Sequence, residues 1–82
     1  MRNKPKVAIF ASGSGSNFQV IADAARAGEL DADIVAVVTD KPQAYVVERA
    51  NALDVSVIAY RPNDFESKVA YERTILQELQ QL

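Results

Sequence analysis

Lys6-Val-Ala-Ile-Phe-Ala-Ser-Gly-Ser-Gly-Ser-Asn17 decides the fold. Its apolar part, Val7–Ala11, reads as a β-strand buried on both faces. The small polar residues that follow turn the chain straight into a helix. A strand that ends this way exposes backbone N–H groups at the positive end of a helix dipole, which is a site for a phosphate.

Working outward, two more apolar runs have the composition of buried strands, Ile34-Val-Ala-Val-Val38 and Val55-Ser-Val-Ile-Ala-Tyr60. Helical stripes separate and follow them. Phe18, Ile21, Ala22 and Ala25 recur at helical spacing, with Gly28 at a C′ position. Val46, Val47, Ala50 and Leu53 form a second stripe, preceded by Asp40 and Gln43 in capping-box-like spacing. Tyr71, Ile75, Leu79 and Leu82 form a third. The order βαβαβα, with strands spaced for right-handed crossovers, predicts an α/β fold: half of a doubly wound, Rossmann-like parallel sheet.

In such folds the first strand lies inside the sheet, flanked by a fourth strand at the switch point. No fourth strand follows here, so the Val7–Ala11 edge is expected to be open and apolar. The expectation is therefore a truncated unit; the alternative is a complete mini-domain that forms a homodimer through that edge.

Bulk properties narrow the function. The chain of 82 residues is 49 % hydrophobic and 24 % charged, a globular composition for one small domain. A net charge of −2 without a basic cluster argues against nucleic acid as a partner. The basic opening Met1–Lys6 precedes an apolar run too short for a signal segment or membrane span, so a cytoplasmic protein is expected. With neither Cys nor His, the chain lacks the usual neutral-pH base and the commonest metal ligands. Carboxylates remain, but acid/base work by Asp or Glu needs surroundings that raise a pKa, and none is visible in the sequence. The expectation is a chain that binds, with no catalytic residue and no metal site of its own.

The glycine loop admits few ligands. A Walker A loop needs a lysine that residues 11–40 do not contain. The dinucleotide fingerprint has its first two glycines in Gly13 and Gly15, but Phe18 occupies the third position. Asp40 fits either a ribose-binding acid or a helix cap, and the cap is the favoured reading. What remains is a cradle for one phosphate. Gly15 permits close backbone approach, Ser14 and Ser16 add hydroxyls, and the Ser16 and Asn17 N–H groups face an anion. Asn17 also suits the helix N-cap.

Residues 7–21, Val-Ala-Ile-Phe-Ala-Ser-Gly-Ser-Gly-Ser-Asn-Phe-Gln-Val-Ile, resemble the opening of the phosphoribosylglycinamide formyltransferase family. The blocks Val38-Thr-Asp-Lys-Pro-Gln-Ala-Tyr-Val-Val-Glu-Arg-Ala50 and Phe65-Glu-Ser-Lys-Val-Ala-Tyr-Glu-Arg73 are similar to two further blocks of that family, in the same order. The resemblance implies the N-terminal, phosphate-binding subdomain (residues 1–82) of a folate-dependent enzyme of purine biosynthesis. Gly15, Ser16 and Asn17 would hold the phosphate of glycinamide ribonucleotide, and Lys68 would contact the cosubstrate 10-formyltetrahydrofolate. The family's catalytic Asn, His and Asp lie beyond the third helix and are absent, so the chain alone is expected to be inactive. Glu48 and Arg49 read as solvated helix charges or a structural pair. Related formyl-folate enzymes and a non-catalytic nucleotide-binding module are the competing readings.

Overall fold

The computed structural model describes residues 4–82, so Met1–Asn3 of the basic opening lie outside the described residues. The described elements are β1 (Lys6–Phe10), α1 (Ser16–Arg26), β2 (Asp33–Thr39), α2 (Tyr45–Ala52), β3 (Ser56–Ala59), a 3-10 turn (Pro62–Asp64) and α3 (Lys68–Gln80). The strands form one parallel sheet in the order β1-β2-β3, which leaves β1 at an edge. None of the described helices is long and apolar enough to cross a membrane.

Strand alternation assigns each side chain to one of two layers. Ile9, Ile34, Val37 and Val57 meet α1 and α2 through a buried cluster of Phe18, Ala22, Val46 and Ala50. Ala8, Ala36, Val38 and Ile58 meet Ile75, Tyr71 and Leu79 of α3 on the other face. Two successive crossovers of one hand, advancing in one direction across the sheet, put α1 and α2 on the same side. The register shifts between Val7↔Ile34 and Ala8↔Ala36, so Val35 is an extra residue in β2. Val35 and Ala36 consequently both pack toward α3.

The helix ends follow local chemistry. Gly28, at φ 80°, closes α1: its N–H donates to Ala25 O and that of Glu29 to Ala24 O, the paired bonds of a Schellman motif. Asp54, at φ 57°, performs the same closure for α2 without glycine's freedom, with Val55 N–H donating to Ala50 O at 2.9 Å. Ser67 caps α3, its hydroxyl accepting from Ala70 N–H at 3.1 Å.

Four expectations need correction. β1 is not covered on both faces: Phe10 is 67 % exposed, because an open cleft separates it from Tyr71, Glu72 and Leu76 of α3, although Ala8 still packs against the α3 layer. Asp40 and Gln43 do not cap α2, whose N-cap is Ala44 with no side-chain bond, since Lys41–Ala44 turn before the helix begins. Asn17 does not cap α1, because Gly15 in the left-handed region already occupies that position. The third stripe ends at Leu79, since α3 stops at Gln80 and Leu82 lies past its end.

Candidate functional site

The loop between β1 and α1 leaves backbone donors open. The first helical bond of α1 runs from Gln19 N–H to Gly15 O at 2.9 Å. The Ser16, Asn17 and Phe18 N–H groups precede it, and among the described residues they donate to no acceptor. Three unpaired donors at a helix start, backed by the helix dipole, attract an anion. Ser16 and Asn17 are exposed at the first two helical positions. The Asn17 side chain makes no hydrogen bond to another described residue, so its amide is available to a ligand. The structure therefore brings Gly15, Ser16 and Asn17 together, on the wall of a cleft of about 240 Å³.

Gly15 is required on two counts. It is buried with φ 79°, and a Cβ there would meet Val46 Cγ2 at 2.5 Å and Val46 Cα at 3.0 Å. The close approach that the missing side chain permits is thus to α2. Helix α2 also reaches the loop by hydrogen bonds: Val46 N–H donates to Gly13 O at 3.3 Å, and Arg49 Nε donates to Ser14 O at 2.7 Å. Arg49 is accordingly no solvated charge and forms no pair with the exposed Glu48. Its role was hidden because 35 residues separate it from Ser14, and no local pattern links the two.

Beyond the loop, Ser12, Gly13 and Ser14 also border an open cleft of about 780 Å³, whose far side includes Asp40, Lys41 and Arg61. Ligand sites in open parallel sheets lie at this carboxyl end of the strands. The Thr39 hydroxyl, on a buried residue, accepts from Lys41 N–H at 3.1 Å and shapes the turn there. Asp40 Oδ1 is buried without a hydrogen-bond partner. The neighbouring Tyr71 phenol is pushed above its ordinary value, first by burial and then by the charges of Asp40 and Glu72. Lys68 is exposed at the first residue of α3 and lines neither cleft.

Residues 5–82 match the family model described as formyl transferase. The chain is 43 % identical over 74 residues to the phosphoribosylglycinamide formyltransferase of Bacillus subtilis (strain 168), covering 90 % of this chain and 38 % of that protein. It is 30 % identical over 73 residues to the enzyme of the same name from Escherichia coli (strain K12), covering 89 % of this chain and 34 % of the relative. Among solved structures, glycinamide ribonucleotide transformylase 1 from Geobacillus kaustophilus superposes with a TM-score of 0.92 at 46 % identity, over 95 % of this chain and 42 % of that one. The chain thus spans about two-fifths of the length of the relatives it matches. A three-stranded parallel sheet with helices on both faces, a loop of open backbone donors and a match over residues 5–82 lead to one assignment: the chain belongs to the formyl transferase family.

Proposed function

We propose that this chain is the ribonucleotide-binding portion of a phosphoribosylglycinamide formyltransferase. The whole enzyme would transfer the formyl group of 10-formyltetrahydrofolate to the amine of glycinamide ribonucleotide in cytoplasmic purine biosynthesis. In that reaction a bond forms between the amine nitrogen and the formyl carbon. The folate N10–carbon bond breaks, and the proton lost by the amine balances the one gained at N10.

The observation that carries this reading is the row of unpaired N–H groups at Ser16, Asn17 and Phe18. Gly15, Ser16 and Asn17 hold the substrate phosphate, and the larger cleft beside them receives the rest of the ribonucleotide. The names of the relatives supply the substrate. Lys68 is assigned to the formyl-folate cosubstrate. A cation in the first turn of α3 works against the helix dipole, so the helix itself gives no reason for a lysine there.

The experiment is a titration of the chain with glycinamide ribonucleotide, followed at the Ser16 and Asn17 amides. Asn17→Asp replaces a donor by a carboxylate facing the phosphate and is expected to weaken binding roughly tenfold or more, as loss of a charged hydrogen bond does. Equal binding by the wild type and Asn17→Asp would remove the loop from the site.

A second reading, a nucleotide-binding module, draws on Asp40. Its unpartnered Oδ1 lies where a ribose-binding acid is found in dinucleotide folds. Protection against heating by NAD(H), but not by the ribonucleotide, would favour that reading.

A further inference from the structure

Arg49 touches the phosphate loop and its helix at once. Its Nε donates to Ser14 O at 2.7 Å, and its Nη1 donates to Gln19 Oε1 at 3.2 Å. Gln19 Nε2 in turn donates to Asp23 Oδ1 at 3.0 Å, so the amide is held from both ends. The guanidinium lies 5.0 Å from the Tyr45 ring centroid, which fixes its plane against the start of α2. One half-buried side chain therefore ties the residue before Gly15 to the first turn of α1.

This tie acts on the donors. A trans peptide unit is planar, with its C=O and N–H pointing in opposite directions. Holding the Ser14 carbonyl toward α2 turns the Gly15 N–H away from α2. Fixing Gln19 sets the position of the turn that carries the Ser16 and Asn17 N–H groups. The fork of two N–H groups at a fixed angle is specific to arginine; a lysine ammonium supplies the charge without that geometry. Val46 already fills the space beside Gly15 and bonds Gly13, so the fold does not need Arg49 to close the core.

We propose that Arg49 is a positioning residue for the anion site: it holds the loop in its donor-out conformation and does not itself touch the phosphate. The inference rests on the reading that the loop binds the ribonucleotide phosphate. Binding to a pre-set loop avoids the cost of ordering it, so losing the tie lowers affinity without unfolding the chain.

The test compares wild type, Arg49→Lys and Arg49→Ala. Each is titrated with glycinamide ribonucleotide and with inorganic phosphate while the amides of residues 13–19 are followed, and each is melted without ligand. Thermal midpoints are expected to stay close to wild type. Affinity for both ligands is expected to fall about tenfold in Arg49→Ala, the scale of ordering one or two loop groups on binding. Arg49→Lys is expected to recover less than half of that loss on a logarithmic scale. Full recovery by lysine would make Arg49 a source of charge and overturn the proposal, as would wild-type affinity in Arg49→Ala. A loss of affinity matched by a collapse of the melting transition in both variants would reduce the residue to a structural part and also overturn it. Failure of the wild-type chain to bind either ligand would instead overturn the phosphate reading on which the proposal stands.

Discussion

On the face of the sheet that carries α1 and α2, Phe18, Val37, Val46 and Ala50 are completely buried. On the α3 face Ala36 and Val38 are buried as completely, but Phe10 is 67 % exposed and Leu76 55 % exposed, and Ile75 is the one buried residue of α3. Both faces are built from the same residue types, so hydrophobicity does not separate them. Coverage does: two helices share the first face, and one helix crosses the second. The proposed anion site belongs to the closed face. Gly15 packs on Val46, and Arg49 reaches the loop from the same helix. A cradle that places backbone donors to fractions of an ångström needs the layer that cannot shift.

The comparison can be broken most severely at Phe18. Phe18→Ala removes the largest fully buried side chain and is expected to cost about 3–5 kcal/mol, much of the stability of a chain this size. Chemical denaturation measures it. Ile75→Ala, made beneath the partly open face, is expected to cost about 2 kcal/mol, since exposed neighbours can move to fill the gap. Equal costs at the two positions would mean that the faces are equally well packed.

Phe10→Ser sharpens the contrast from the other direction. A side chain already in water is expected to change stability by no more than about 0.5 kcal/mol. The substitution also removes an apolar group from an open strand edge, so self-association in sedimentation experiments should decrease.

The smallest expected effect is a pH dependence on the α3 side. Hydrogen bonding to Glu78, then burial and the Glu78 charge, raise the Tyr60 phenol above its ordinary value of 10.0. A raised folded value means that the native state holds the proton more tightly than the unfolded chain. The contribution is whole below pH 10 and is lost as pH rises through the folded value. Tyr60→Phe should therefore lose less stability than wild type above pH 10, with Tyr71, also raised, sustaining part of the slope. Identical pH profiles would show that Tyr60 does not respond to its folded surroundings.

How much of this was legible beforehand depended on range. The three strands, the stripes of α1 and α2, and the Gly28 stop are short-range patterns, and each lies within a residue or two of its expected place. The turn into α1 at Gly15-Ser16-Asn17 was legible for the same reason. The caps were less so. Asp40, Gln43 and Asn17 are good capping residues, yet Gly15's left-handed backbone and the turn at Lys41–Ala44 took those positions. Propensity ranks residues for a role, whereas the path of the chain decides which residue reaches it.

Sequence alone determined the α/β order, the parallel sheet and the tight turn from β1 into α1, because periodicity and turn chemistry act between residues a few positions apart. Tertiary structure alone decided three other matters. It put α3 opposite α1 and α2 and left Phe10 uncovered, since coverage depends on where a helix crosses the sheet. It directed the space beside Gly15 to Val46. It also brought Arg49 to Ser14 across 35 residues, a contact that exists only once both helices share one face.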